Sequence, residues 1–180
     1  MWELEELDEK VRGVVRSLQE VWQEVRREGE ALLEARGLWN EDRPLVAEGR
    51  WRELQVVGGG VGVVPAVCSL APTTCSLVSS LDLLHCPLCT TKWSLLAPGT
   101  RVKPHCAPTN RRLRIHLGLR VPEEGVAMQL AGSRMGWREG EVVVFDDSFE
   151  HQVWNNSTEA RLIFILDIQH PNLNVKSKSS

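Results

Sequence analysis

The sequence carries little net charge, has no long apolar run and shows no internal repeat. A formal net charge of −3 and a pI near 6.0 do not predict the basic surface of a nucleic-acid-binding protein. No segment reaches the roughly 18 uninterrupted apolar residues of a membrane-spanning helix. The first ten residues, MWELEELDEK, are acidic and lack the basic and apolar regions of a secretory signal. The composition therefore predicts no nucleic-acid partner and no membrane segment within this chain, whether it is a whole protein or a piece of a longer one.

The five cysteines lack the paired CxxC spacing that is typical of a structural zinc site. Cys86 and Cys89 form a single CxxC, and Cys68 and Cys75 bracket the segment CSLAPTTC. The second spacing suits a local disulfide if the backbone turns back. The spacing fits both free and locally bridged cysteines, so the pairing stays open. Oxidation of both pairs would indicate a secretory compartment.

Apolar residues recur at three- and four-residue steps over residues 2–36, which predicts one long helix ending at Gly37. Such a stripe fits a coiled-coil seam or a partner-binding face, but a helix packed on the outside of a sheet is the preferred interpretation. Residues 38–67 predict loop and weak strand, because VVGGGVGVV is rich in glycine. Residues 68–91 predict a surface loop around the apolar segment 77–84.

From residue 92 the pattern changes to short strands separated by Gly, Pro and Asp turns. In RLRIHLGL (112–119), apolar residues alternate with polar ones, so Arg114 and His116 are expected on one face. RLIFILDI is a near-continuous apolar strand of the core type. These strands predict a mainly β sandwich or jelly roll. The predicted organisation is an N-terminal helix packed on the sheet (1–37), a β domain (38–172) and a disordered tail (173–180).

Two histidines and one arginine lie in or at the ends of predicted buried strands, where such residues are rare. His105 and His151 lie at strand ends, far enough apart in sequence to be on different strands facing one cavity. Arg161 opens the apolar strand RLIFILDI, where a guanidinium would be desolvated without an anionic partner, and a carboxylate matches it best. Two imidazoles beside buried arginines predict a metal with a carboxylate co-substrate.

Two long segments carry a resemblance to a known family. PGTRVKPHCAPTNRRLRIHLGL (98–119) and GEVVVFDDSFEHQVWNNSTEARLIFILDIQHP (140–171) resemble the aspartyl/asparaginyl β-hydroxylases. The front helix, GRW and CSLAPTTC are more loosely similar to them. This family consists of Fe(II)- and 2-oxoglutarate-dependent oxygenases, and the resemblance implies its fold, the double-stranded β-helix, a cupin-like jelly roll.

The resemblance implies a role for each position that matches the family motif. His105 and His151 would ligate iron. Arg161 would pair with the distal carboxylate of 2-oxoglutarate, with Ser94 as its hydrogen-bond partner.

Four further positions concern the iron-chelating end of 2-oxoglutarate and the iron itself. Arg114 and His116 would hold that end of the co-substrate. Many 2-oxoglutarate oxygenases supply a carboxylate ligand two residues after the first histidine, where this chain has Ala107 and the family has glycine. Asp147 is the candidate for hydrogen-bonding an iron-bound water.

The resemblance further implies the reaction and its setting. It implies that the chain uses dioxygen to hydroxylate the β-carbon of Asp or Asn residues in EGF-like protein domains in the endoplasmic reticulum. One alternative is a catalytically inactive metal- or peptide-binding module on the same fold. Another is a scaffold that oligomerises through the front helix.

Three further features are interpreted without a catalytic role. Trp137 and Trp154 are expected to pack, and Cys106, next to His105 on an alternating strand, is expected to point away from the metal. The segment NNST (155–158) contains two overlapping N-glycosylation sequons, which matter only in the secretory pathway.

Overall fold

The computed structural model describes residues 6–35, 37–58, 62–81 and 86–171. The strands in these ranges form two antiparallel sheets, one of seven strands and one of five. The helices are α1 (Glu9–Glu20), α2 (Trp22–Ala31), α3 (Pro65–Cys68) and α4 (Pro72–Ser80). The strands are β1 (Asn40–Glu41), β2 (Val46–Glu48), β3 (Trp51–Gly58), β4 (Gly62–Val63), β5 (Thr91–Leu96), β6 (Thr100–His105), β7 (Arg112–Arg120), β8 (Val126–Leu130), β9 (Ser133–Met135), β10 (Val142–Phe145), β11 (His151–Asn155) and β12 (Arg161–Gln169).

The larger sheet has the order β1-β3-β5-β12-β7-β10, with β4 paired to β3, and the smaller has the order β2-β6-β11-β8-β9. Strand β12 lies between β5 and β7, and its residues from Arg161 to Ile168 are all buried. This arrangement confirms the predicted mainly β jelly roll. The predicted tail, residues 173–180, lies outside the described residues.

The front of the chain forms two helices, so the prediction of one helix over residues 2–36 is wrong. Helix α1 begins after Asp8, whose carboxylate accepts a hydrogen bond from the Lys10 N–H at 2.8 Å. The backbone leaves the helical region at Val21, and α2 ends at Ala31, well before Gly37. The Trp39 indole N–H donates to the Leu32 carbonyl at 2.7 Å, which satisfies one of the free acceptors at the end of α2.

Both helices cover the outer face of the larger sheet. The apolar side of α1 enters the same core cluster as β5, β7 and β12. In α2, Gly29 permits close contact, since a Cβ there would lie 2.5 Å from Nε1 of Trp93 on β5. The Trp93 indole N–H donates to the Val25 carbonyl at 3.2 Å. None of the helices in the described ranges is long and apolar enough to cross a membrane.

The prediction of a loop over residues 68–91 is wrong for its first half, where α4 forms. Helices α3 and α4 both begin with proline, whose fixed φ suits the first turn of a helix. The cap of α4 is supplied by Glu28 of α2, which accepts from the backbone N–H of Thr73 at 2.9 Å and of Thr74 at 2.8 Å. Pro72 is a local signal for a helix start, but the capping carboxylate comes from a residue distant in sequence, so the usual local cap is missing.

The structure also settles the pairing of the cysteines. Disulfides join Cys68 to Cys75, linking α3 to α4, and Cys86 to Cys89. Cys106 is exposed and unbridged.

Strand β3 is stronger than the sequence indicated. It runs for eight residues, Trp51–Gly58, and pairs with both β1 and β5. Its buried residues Leu54, Val56 and Val57 contribute to the core. Apolar burial there outweighs the weak strand preference of the glycines that follow.

Candidate active site

A pocket between the two sheets brings together six of the seven predicted site residues. The polar residues that line it are Ser94, His105, Arg114, His116, His151 and Arg161, and the apolar and aromatic ones are Trp51, Leu96, Val102, Val153, Ile163 and Ile165. Asp147, the seventh, is fully buried but does not line this pocket.

The two histidines meet because β6 ends where β11 begins. His105 and His151 are register partners, with ring centroids 4.2 Å apart. Nδ1 of His105 lies 2.8 Å from the Lys103 carbonyl, and Nδ1 of His151 lies 2.9 Å from the Phe149 carbonyl. Because a carbonyl only accepts, each Nδ1 carries a proton, and Nε2 is the ring nitrogen that a metal could bind. Histidines that bind a metal commonly donate their other ring N–H to a carbonyl in this way.

The electrostatics of His151 agree with a ligand role. Burial lowers the pKa of His151 to about 4, since it outweighs the opposing hydrogen bond to the Phe149 carbonyl. The ring is therefore neutral at pH 7, as a metal ligand must be. In the described ranges no group of three or more His, Cys, Asp or Glu residues could hold a metal. The two histidines therefore have no third candidate ligand of these types in the described ranges, and position 107 is alanine.

Arg161 is a buried cation whose hydrogen bonds are incomplete. Its side chain donates to Ser94 Oγ at 3.0 Å, and the Trp51 indole N–H donates to the same oxygen at 2.9 Å. The guanidinium lies over the Trp137 ring, 4.8 Å from the centroid. Its Nε is buried and has no hydrogen-bond partner among the described residues.

Burial lowers the pKa of Arg161 to about 9, and the charge of Glu53 only partly opposes this effect. The side chain is still a cation at pH 7. Glu53 is itself engaged by Lys92, at 2.5 Å. A buried guanidinium without a carboxylate of its own among the described residues indicates a binding site for an external anion.

His116 presents a second orphaned polar atom. The Trp137 indole N–H donates to His116 Nδ1 at 3.2 Å, and because an indole only donates, Nδ1 is the acceptor. Burial, with the charges of Arg114 and Arg161, holds the pKa of His116 well below its ordinary value. The ring is therefore neutral and its proton is on Nε2. Within the described part of the chain, that buried N–H has no hydrogen-bond partner, so the pocket offers a donor that lacks an acceptor.

Arg114 is held by a buried ion-pair network. Its Nε lies 2.8 Å from Asp167 Oδ1 and its NH1 lies 3.1 Å from Asp147 Oδ2. Arg112 contacts the same two carboxylates, at 2.7 Å for Asp147 and 3.1 Å for Asp167. Burial alone would lower the pKa of Arg114, but the two carboxylates outweigh it and raise the pKa. Asp147 thus bonds two arginines, and its hydrogen bond to an iron-bound water stays a prediction.

Three residues of this region were not predicted to contribute to the site. Asp167 forms ion pairs with Arg112 and Arg114. The sequence signal for it is an acidic residue in an otherwise apolar strand, because a buried acid requires a partner. Trp51 orients Ser94. Trp137, predicted only to pack, is buried and also holds both His116 and Arg161.

A family model described as aspartyl/asparaginyl beta-hydroxylase matches residues 19–171. The chain belongs to this family. The predicted family resemblance is therefore confirmed, over a range that includes all seven predicted site residues.

Three named relatives show how much of the sequence is shared. The human protein named aspartyl/asparaginyl beta-hydroxylase is 41% identical over 170 residues, which are 93% of this chain and 22% of that protein. The human aspartate beta-hydroxylase domain-containing protein 2 is 35% identical over 133 residues, 69% of this chain and 35% of that protein. An ornithine lipid ester-linked acyl 2-hydroxylase of Rhizobium tropici is 32% identical over 124 residues, 68% of this chain and 42% of that protein. The chain thus spans less than half the length of each relative.

The fold is shared beyond the family. A prolyl-4-hydroxylase of Pseudomonas putida superimposes with a TM-score of 0.57 over 88% of this chain and 98% of that one, at 15% identity. This likeness concerns the fold alone.

Proposed function

We propose that this chain is an Fe(II)- and 2-oxoglutarate-dependent dioxygenase that hydroxylates the β-carbon of Asp or Asn residues in proteins. The observation that carries the proposal is a pair of imidazoles, with ring centroids 4.2 Å apart, in the same pocket as a buried, incompletely bonded guanidinium. The named hydroxylases of the family support the reaction class.

His105 and His151 would hold the iron. Their Nδ1 hydrogen bonds leave both Nε2 atoms available, and imidazole suits Fe(II). Two protein ligands leave several coordination positions for the co-substrate and dioxygen. When bound, the iron and 2-oxoglutarate supply the oxidation, in which one oxygen atom enters a C–H bond and 2-oxoglutarate becomes succinate and carbon dioxide. The chain supplies binding, orientation and exclusion of water.

A dicarboxylate fits the two orphaned donors of the pocket. The Arg161 guanidinium and the Ser94 hydroxyl would bind one carboxylate, since a guanidinium pairs well with a carboxylate in a buried site. The His116 Nε2–H would donate to the other end of the co-substrate. Arg114 also lines the pocket, where its charge is balanced by Asp147 and Asp167.

The protein substrate and the compartment are the finer parts of the proposal. EGF-like domains as substrates, and the endoplasmic reticulum as location, come from the family resemblance. The two disulfides support an oxidising compartment, because such bonds are rare where glutathione keeps thiols reduced.

The second candidate function is a catalytically inactive metal- or peptide-binding module. The observation that favours it is the two-histidine site without a carboxylate ligand among the described residues. The inactive module predicts normal folding without turnover of 2-oxoglutarate. Only the dioxygenase predicts succinate formation coupled to a hydroxylated product.

The test is anaerobic titration of the protein with Fe(II) and 2-oxoglutarate, followed by oxygen and detection of succinate in the presence of Asp- and Asn-containing EGF-like domains. We expect His151→Ala to abolish iron-dependent turnover. Arg161→Met should weaken 2-oxoglutarate binding about 100-fold, since charge-assisted hydrogen bonds are lost. Arg101→Met is the matched control, because Arg101 is largely exposed and makes only a 3.8 Å pair with Glu48.

An unchanged affinity for 2-oxoglutarate in Arg161→Met would show that the assigned role of this residue is wrong. Binding of iron and 2-oxoglutarate without succinate, with every substrate domain tried, would favour the inactive module.

A further inference from the structure

The segment NNST offers two alternative glycosylation sequons, and the structure separates them. Asn155 is the acceptor of the first, whose third residue is Ser157, and Asn156 is the acceptor of the second, whose third residue is Thr158. Each requires a side-chain amide nitrogen that a transferase can reach and a folded protein that tolerates a bulky sugar there. The two asparagines differ in both respects.

Asn155 is the last residue of β11 and is fully buried. Its Nδ2 donates to the carbonyls of Leu96 at 3.1 Å, of Ala97 at 3.2 Å and of Glu159 at 2.8 Å. Its Oδ1 accepts from the backbone N–H of Ser157 at 3.0 Å and from its hydroxyl at 2.6 Å. A sugar on Nδ2 would replace one of its two hydrogens, so that at least one of these carbonyls would lose its donor, and the sugar would have to enter a fully buried position. Asn155 therefore acts as a structural clamp of the turn.

Asn156 follows it in the turn between β11 and β12, and its side chain is exposed. Its backbone N–H donates to the Gly125 carbonyl at 2.8 Å, so the backbone is held while the side chain extends outward. Thr158, the third residue of its sequon, is exposed as well.

The turn lies away from the histidine pair. His151 begins β11 and Asn155 ends it, and four residues of strand span about 13 Å. A glycan on Asn156 would leave from the far end of the strand, so the pocket would remain accessible.

We propose that Asn156 is an N-glycosylation site of this protein and that Asn155 is not. The donor would be an oligosaccharide carried on a polyisoprenyl diphosphate. The Asn156 amide nitrogen forms a bond to the anomeric carbon of the first sugar, the sugar–phosphate bond breaks, and the polyisoprenyl diphosphate leaves with the bonding electrons. The amide gives up one proton to a base of the transferase, and nothing is oxidised or reduced.

The test is expression of the chain behind a secretory signal in eukaryotic cells, with recovery from the whole cell extract and the medium. Release of glycans by peptide N-glycosidase in ¹⁸O-water converts each glycosylated Asn to a mass-tagged Asp, which peptide sequencing by mass spectrometry locates. The tag is expected at position 156 and not at position 155.

Two single variants remove one sequon each. Thr158→Ala removes only the Asn156 sequon and should give an unglycosylated protein. Ser157→Ala removes only the Asn155 sequon and should keep the glycan. Because Ser157 also bonds Asn155, Asn156→Gln serves as a second variant that should lose the glycan without touching the clamp.

A tag at position 155, a glycan that survives Thr158→Ala, or disulfide-bonded wild-type protein without a glycan would each overturn the proposal. The readout is a covalent mass and requires neither iron nor 2-oxoglutarate, so its failure is separate from failure of the proposed dioxygenase activity. 2-Oxoglutarate affinity should be the same in Asn156→Gln and in the glycosylated protein.

Discussion

Asp167 is the residue whose replacement tests the ion-pair network most directly. Its carboxylate accepts hydrogen bonds from Arg114 Nε at 2.8 Å and from the backbone N–H and hydroxyl of Thr90 at 3.2 and 3.0 Å, and it lies 3.1 Å from Arg112. Asp167→Asn keeps the shape, but it removes the negative charge and turns a donor group toward the arginines. Removing one partner of a buried ion pair costs about 3–5 kcal/mol. We therefore expect the free energy of unfolding to fall by about that amount.

The measurement is urea unfolding of the disulfide-intact protein, followed by tryptophan fluorescence and by far-UV circular dichroism. The matched control is Glu48→Gln, because Glu48 and Arg101 are 69% and 62% exposed and lie 3.8 Å apart. Such a surface pair contributes less than about 1 kcal/mol. If Asp167→Asn loses no more stability than the control does, the network does not stabilise the fold and the reasoning is refuted.

The stability difference between the wild type and Asp167→Asn should depend on pH in a defined way. Burial would raise the pKa of Asp167, but the charge and hydrogen bonds of Arg114, together with Arg112, outweigh it and lower the pKa. The contribution of this carboxylate is thus fully present above the unfolded-state pKa, about 3.9, and is lost as the pH falls through the folded-state pKa. The stability difference between wild type and Asp167→Asn should therefore shrink in that acid window and stay constant above it.

Two further substitutions test non-local contacts. Glu28→Gln removes the charge that caps α4 and should lower the free energy of unfolding by about 1–2 kcal/mol. The control is Glu24→Gln, because Glu24 forms an exposed pair with Arg27 on the same helix and its loss should change the stability much less. Equal urea midpoints for the two variants would contradict the capping role of Glu28. Trp137→Phe removes the donor that fixes the His116 tautomer and should weaken anaerobic 2-oxoglutarate binding about tenfold. An unchanged affinity would show that this tautomer is not needed.

The local part of the site was predictable because strand periodicity is a local property. Alternation in residues 112–119 places Arg114 and His116 on one face, and in the structure both line the pocket. The convergence of His105 and His151 depends on β6 and β11 being neighbours. The spacing of the histidines permits that arrangement without requiring it, and it was the family resemblance that implied it.

The parts that sequence reasoning missed depend on distant partners. The cap of α4 comes from Glu28, 45 residues before Thr73. The acid of β12, Asp167, meets Arg114 from a strand 53 residues earlier. Such contacts leave no periodic trace in the chain, so neither a propensity nor a motif predicts them.

The candidate site is formed by residues of both sheets, so contacts that stabilise the fold also position the residues proposed to bind iron. The two histidines lie on β6 and β11 of the smaller sheet, whereas Ser94, His116 and Arg161 lie on the larger one. Asp147 connects the two halves, because its carboxylate bonds Arg112 of β7 and its carbonyl accepts from the Ala107 N–H, two residues after His105. Asp167→Asn removes one of the two carboxylates that Arg112 and Arg114 share and leaves Asp147 as the other. We expect the loop that leads into β11 to shift as a result. Asp167→Asn should therefore weaken iron binding as well as the fold, although Asp167 does not line the pocket.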